Sequence, residues 1–300
     1  MTDTTVESVG GIQGVSNLLV QHPKRGRHFA LGQVLVYGAL TVLFVFSVAP
    51  LLLAWFTAFK TGTQVLEHPF RPPMPGTLDN IKEAWTVGRF NVYFKNSVII
   101  SLADVLGMLV VATLAGYALG RLQFPGKKLL LLVLLVGMTV PVSAILIPLY
   151  LRMRDFHLLD TYASVIIADI ALAAPIFVFI MRGFFKDLPR ELEDAARLDG
   201  ASEIQVFWQV MLPLARPGLM TVALLEFLWS WNDLLLPLVF LVTDDRRTLP
   251  VGMLFYQGKF TVDYGLMCAG VLILSLPITI LFLFFQRSFV QGLTSGALKG

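Results

Sequence analysis

The sequence predicts an all-α integral membrane fold: six transmembrane helices, with a helix-turn-helix loop between the fourth and fifth spans. Of its 300 residues 56% are hydrophobic and 14% charged, where a soluble domain carries roughly 25% charged residues. Mean hydropathy is +0.74. The apolar residues are also gathered into six runs, each able to cross about 30 Å of hydrocarbon as a helix.

Residues 1–33 read as a polar tail, with Lys24, Arg25 and Arg27 just ahead of the first run. That run outlasts a signal-peptide core and so reads as an uncleaved anchor. The predicted spans are 34–59, 97–119, 129–151, 162–181, 218–242 and 266–285, forming one membrane domain at 34–286, and 287–300 reads as a short closing tail. An even number of spans puts both termini on one side. Lysine and arginine number 13 on that side and 10 on the other, which favours cytoplasmic termini under the positive-inside rule. Pro50, Pro141, Pro148, Pro175, Pro237 and Pro277 fall inside the spans, where each removes a backbone donor and tends to kink its helix. The basic residues are scattered rather than gathered in a stripe, which excludes a nucleic-acid partner. Cys268 is the sole cysteine, so there is neither a disulfide framework nor a cysteine metal site.

The connection after the fourth span, about 184–216, breaks the apolar pattern. Asp187 is expected to cap a first helix, with Pro189 in its first turn and Glu191, Glu193 and Asp194 near the positive end of its dipole. Gly200 supplies a left-handed stop. Ser202 and Gln205 form a capping-box pair for a second helix, on which Ile204, Phe207, Trp208, Met211 and Leu212 share an apolar face. Pro213 and Pro217 end it. An amphipathic connection lying on the bilayer surface would share these features. A small-residue patch of Ala195, Ala196, Gly200 and Ala201, however, would let another protein's backbone come close.

At these residues the sequence resembles the cytoplasmic coupling motif of importer permeases in the ABC transporter superfamily: E-A-A, three residues, G, nine residues, I, one residue, L-P. Here it stands as Asp194-Ala195-Ala196, Gly200, Val210 and Leu212-Pro213, with Asp for Glu and Val for Ile. The flanking residues Glu193, Asp199 and Ala201 are similar to the carbohydrate, maltose-type branch. So are Tyr93-Phe94-Lys95-Asn96-Ser97, Ile147-Pro148-Leu149-Tyr150, Trp229-Ser230-Trp231-Asn232-Asp233 and the closing stretch 292–300. The likeness is to the smaller permease subunit of such systems. The resemblance implies a multi-pass protein of a prokaryotic inner membrane. It also implies a second homologous permease, two copies of an ATPase subunit seated on the loop, and an extracytoplasmic sugar-binding protein.

A phosphate-cradling loop needs G-x-x-x-x-G-K-[ST] after a strand. Gly120 to Lys127 has five residues between its glycines and Lys128 where the hydroxyl belongs, so ATP and Mg are expected on the partner ATPase, with no cofactor in this chain. His22, His28, His68 and His157 show no metal spacing, and no catalytic residues are expected. Asp104, Asp169, Glu226 and Asp233 lie at membrane depth, where ionisable groups face cavities or partners. Glu226, Trp229, Ser230 and Asp233, with Asn232 beside them, fall at i, i+3, i+4 and i+7. A carboxylate beside an aromatic plane suits a sugar, and the same pattern suits helix packing. An ABC permease for another solute, or an ion-coupled secondary transporter using the buried acids, is the alternative.

Overall fold

The computed structural model of the chain describes residues 28–259 and 263–297, with side chains over 32–255 and 263–285. The expected tail as far as residue 27 and the side chains of the closing stretch lie outside them. All regular structure among the described residues is helical. In chain order the helices are α1 (His28–Ala58), α2 (Gly62–Glu67), α3 (Asp79–Thr86), α4 (Phe90–Arg121), α5 (Lys127–Thr139), α6 (Val142–Asp155) and α7 (Tyr162–Asp187). There follow α8 (Glu191–Leu198), α9 (Glu203–Gln205), a π-helical turn (Val206–Met211), α10 (Leu212–Leu214), α11 (Arg216–Asn232), α12 (Leu235–Phe240), α13 (Leu249–Lys259) and α14 (Tyr264–Ala297).

The chain divides into two compact units, residues 1–52 and 53–300. In the first, Val34, Leu40, Phe44 and Phe46 of α1 are all exposed, as suits a helix solvated by lipid. The second holds the packed clusters and the candidate site.

Among the described residues four helices are long and apolar enough to cross a membrane by themselves, Gly32–Ala58, Phe90–Arg121, Tyr162–Asp187 and Tyr264–Phe285, and two bent pairs bring the number to as many as six. The expected third span is one of these pairs: α5 and α6 meet at 104°. Val140 is extended there (φ −84°, ψ 116°), because the ring of Pro141 disfavours the helical region for the residue before it and offers no amide hydrogen. The other pair is the loop helix Glu203–Leu214 with α11, bent by 70°, and the expected fifth span is interrupted besides. α11 stops at Asn232, Asp233 is extended (φ −65°, ψ 125°), and the chain restarts as α12. Pro50, Pro148, Pro175 and Pro277, by contrast, sit inside continuous helices. The last helix keeps its helical backbone to Ala297, through most of the segment expected as a tail.

Three buried clusters hold the second unit together. At the end that carries the 188–216 loop, Met108, Ala112 and Tyr117 of α4 meet Phe177, Met181 and Phe185 of α7 and Phe207 and Met211 of the π turn. The two long helices touch closely because Gly116 has no side chain: a Cβ there would lie 2.6 Å from Met181 Cβ, inside any normal contact. At the opposite end Phe90, Tyr93, Trp231, Leu249 and Leu266 form a second cluster. Trp231 donates its Nε1–H to the Leu274 carbonyl (3.0 Å) and stacks on Phe227. Ile100, Met153, Val165 and Phe240 make the third, between α4, α6, α7 and α12.

The 93–97 stretch acts as a clamp at that opposite end. Buried Asn96 donates to the carbonyls of Asp245 and Arg247, each at 2.9 Å, and accepts from the Tyr162 hydroxyl at 2.7 Å. Tyr93 donates its hydroxyl to Asp244 Oδ1 (2.8 Å), the Ser97 hydroxyl accepts from the Leu249 amide (2.8 Å), and Arg89 pairs with both Asp244 and Asp245. Asn96 and Ser97 thereby satisfy polar backbone of an irregular connection, while Tyr93 and Arg89 hold its carboxylates.

Gly116→Val should lower the melting temperature of the purified subunit in detergent, since overpacking of this kind costs about 1–3 kcal/mol. Unchanged melting would mean that α4 and α7 separate more readily than their distances indicate.

Candidate functional site

The loop after α7 is a helix, a glycine turn and a second helix, though not with the predicted starting point. Asp187 is the last residue of α7, and Leu188 is extended (φ −67°, ψ 141°) because Pro189 follows it. Arg190 therefore occupies the cap of α8, without a side-chain cap bond, while Glu191, Glu193 and Asp194 fill the first turn. Gly200 has φ +86°. The amide of Ala201 bonds to the Ala196 carbonyl and that of Gly200 to the Arg197 carbonyl, each at 3.0 Å, the paired closure of a Schellman motif. Ser202 and Gln205 form the expected capping box: the Ser202 amide donates to Gln205 Oε1 at 2.8 Å and the Gln205 amide to the Ser202 hydroxyl at 3.4 Å.

The predicted apolar face of the second helix is redrawn. From Val206 to Met211 the backbone is π-helical, with more residues per turn than an α-helix, so the buried side chains are Val206, Phe207 and Met211. Phe207 packs on Tyr117 and Phe185 with ring centroids 4.9 and 6.5 Å away. Ile204 and Trp208, expected on one face with Phe207 and Met211, are 72% and 59% exposed, and Leu198 before the glycine is 89% exposed. The small-residue patch also divides. Ala195 and Gly200 are exposed with Asp194 and Asp199, whereas Ala196 and Ala201 are half-buried against the core beneath, as are Val210 and Leu212, and Pro213 is also half-buried.

Glu193 faces inward. Its Oε1 lies 2.8 Å from Arg121 Nε, a charge contact in which the N–H points off the line, and both side chains are buried. Arg197 then joins the two loop helices, donating to Glu203 from Nε (2.7 Å) and to Asp194 from Nη1 (3.1 Å), with Glu193 Oε2 at 3.6 Å. The hydrogen bond to Glu203 raises the guanidinium pKa above its ordinary value. Arg121 was visible in the sequence only as a charge at the end of an apolar run, a common place for arginine, and nothing there points to Glu193, 72 residues later.

The expected substrate face of α11 splits in two. Glu226 and Ser230 are buried, and the Ser230 hydroxyl donates to Asp104 Oδ2 of α4 at 2.5 Å and lies 3.3 Å from the Ser101 hydroxyl. Trp229 is 51% exposed, and Asn232, also exposed, donates to the Leu228 carbonyl (2.7 Å). Positions i+3 and i+4 lie about 100° apart around a helix, so one turned inward carries the other out. Asp233 stands at the helix break and accepts the Leu235 amide at 3.0 Å, which starts α12. Asp104, Asp169 and Glu226 each keep one buried oxygen without a hydrogen-bond partner. Among the described residues no group of three or more His, Cys, Asp or Glu side chains is arranged to hold a metal ion.

Comparison with known proteins adds to this geometry. A family model described as "Binding-protein-dependent transport system inner membrane component" matches residues 112–295. The diacetylchitobiose uptake system permease protein NgcG of Streptomyces coelicolor is 33% identical over 87% of each chain. The arabinooligosaccharides transport system permease protein AraQ of Halalkalibacterium halodurans is 37% identical over 92% of this chain and 100% of its own. The trehalose transport system permease protein SugB of Mycobacterium tuberculosis is 36% identical over 92% and 99%. Among solved structures, a bacterial ABC transporter involved in the import of the acidic polysaccharide alginate matches with a TM-score of 0.80 at 21% identity, over 89% of this chain and 99% of that one. This last likeness speaks for the fold alone.

Ser230→Ala leaves the Asp104 carboxyl buried without its hydroxyl donor and should cost about 1–3 kcal/mol of stability, read as a lower melting temperature in detergent. Trp229→Ala, on the exposed side of α11, should melt close to the unsubstituted subunit. Equal losses in the two would contradict the division of that face.

Proposed function

The chain belongs to the family of binding-protein-dependent transport system inner membrane components, and from that premise we propose that it is one permease subunit of an ATP-driven sugar importer. The family is a transport component rather than an enzyme, with ATP hydrolysis on a separate subunit. Relatives named for diacetylchitobiose, arabinooligosaccharide and trehalose transport support a sugar as cargo.

The proposed assembly pairs this subunit with a second, homologous permease, two ATPase subunits on the 184–216 loop and an external sugar-binding protein. Residues 34–286 form the membrane domain, and the loop and both termini face the cytoplasm. One observation supports the coupling role above the rest. The loop is fastened beneath to the ends of α4 and α7 and leaves an outer surface of exposed apolar Leu198, Ile204 and Trp208 with polar Asp194 and Asp199 around Gly200. Apolar side chains rimmed by charge suit a protein partner better than water. Closure of the ATPase subunits on ATP would displace this surface, and the helices fastened to it would carry the motion into the spans as a rigid body. The pathway then opens outward, receives sugar from the binding protein, and resets on hydrolysis. The broken end of α11, with Trp229, Asn232 and Asp233, is the segment proposed to line that pathway; Glu226 and Ser230 brace it from within.

Reconstitution in proteoliposomes tests the proposal, with loaded binding protein and a panel of diacetylchitobiose, trehalose and arabino-oligosaccharides. Uptake should require ATP, the ATPase and the second permease. Uptake driven by an ion gradient without an ATPase would overturn the reading in favour of a secondary transporter, and ATP-driven uptake of a non-sugar solute alone would remove the sugar assignment. In Gly200→Leu the added Cβ meets nothing within 4 Å, but the residue must hold a left-handed backbone at a cost of about 1–2 kcal/mol. It should insert normally yet bind the ATPase weakly and lose uptake. Asp233→Ala and Trp229→Ala should change uptake affinity or selectivity while leaving assembly intact.

A further inference from the structure

α7 and α11 are joined to the loop by the chain itself, but α4 is not. Tyr117 of α4 packs on Phe207 in the second half of the loop, and what fastens α4 to α8, in the first half, is the side chain of Arg121 at its last residue. Arg121 reaches Glu193 of α8 through Nε at 2.8 Å and, through Nη2, donates to the Leu188 carbonyl at 2.7 Å and to the Pro189 carbonyl at 3.3 Å. The charged partners keep only 4% and 7% of their side-chain surface exposed. The neighbouring contact works the same way, with Arg182 of α7 donating its Nε–H to the Leu119 carbonyl of α4 at 3.2 Å. Beyond Glu193 the charges alternate outward: Arg197, then Asp194 and Glu203 on the loop's exposed side.

We infer that Arg121 is a positioning residue for energy coupling: it locks α8 to the end of α4, so that a displacement of the loop moves α4 together with α7. This rests on the importer reading above and deepens it. The physical ground is the difference between an exposed ion pair and a desolvated one. Exposed pairs are screened and weak. If one member of a buried pair is lost, the other is left short of its counter-charge in a poorly solvated place, so swinging α8 from α4 would leave Glu193 with only its longer contact to Arg197, at 3.6 Å. The planar guanidinium also makes two contacts at once, a charge contact with the carboxylate and a directed hydrogen bond to the backbone just before α8, which together hold α8 at two points. A lysine, with a single ammonium on a flexible stem, cannot hold both.

The test uses the full complex with its second permease and ATPase in nanodiscs, with Cys268→Ser and spin labels at Gln123→Cys, just past α4, and Glu191→Cys on α8. The probe is Mg-ATP with vanadate. With Arg121 in place, the label separation should be the same before and after trapping, because α4 and α8 move as one body. In Arg121→Gln, ATP–vanadate should shift it by about 2 Å or more, the scale of helix shifts in switching proteins. If that variant does not assemble, Arg121→Lys takes its place with the same two outcomes. A separation that stays fixed through trapping in the substituted complex overturns the assignment, since a residue needed only for folding would not make the loop move apart from α4 on nucleotide binding. An unsubstituted subunit that binds no ATPase refutes the importer reading instead, a result separate from either.

Discussion

The close approach of α4 and α7 is the contact on which the rest of the second unit depends. With only hydrogen at Gly116, the two backbones meet near Met181, and helices in a bilayer, lacking a hydrophobic drive between them, associate through such packing. Their adjacent ends then supply Tyr117 and Phe185, whose rings receive Phe207 of the loop. The π-helical turn makes this possible. By widening the repeat it turns Val206, Phe207 and Met211 toward the helix ends together, and in doing so leaves Ile204 and Trp208 outside.

The interior of the bundle follows the rule that backbone polar groups away from water must be paired within the protein. Helical continuity satisfies most of them. Where continuity fails, side chains take over: Asp233 accepts the amide that restarts α12, and Asn96 and Ser97 serve the irregular 243–249 connection from α4. The polar residues of these spans thus hold broken backbone in place before any question of cargo arises. The same reasoning separates Ser230, which belongs to the contact between α4 and α11, from Trp229 and Asn232, which face away from it.

Charge is used differently at the two ends. Arg89, Asp244, Asp245 and Arg247 form a partly exposed network that ties loops together, while Arg121 and Glu193 are sealed beneath the loop. A partly exposed network yields to salt and solvent, whereas a sealed pair tolerates neither separation nor the loss of a partner. The loop consequently has a fixed underside and an outer surface free to meet another protein.

Much of this molecule is set by local chemistry and was legible in the residue order. Six apolar runs require a bilayer, Gly200 takes the left-handed turn that closes α8, where a missing side chain is favoured, and Ser202 with Gln205 caps the next helix from three residues' distance. Proline marked possible breaks but not which were real: Pro141 bends its span by 104° while Pro175 leaves α7 continuous, since neighbouring helices decide whether a lost hydrogen bond is tolerated. Only the tertiary structure could bring Arg121 to Glu193 or Ser230 to Asp104, because those pairs join separate helices and carry no spacing. It alone could decide which side of the second loop helix is buried, because a change of helical pitch redirects every side chain after it.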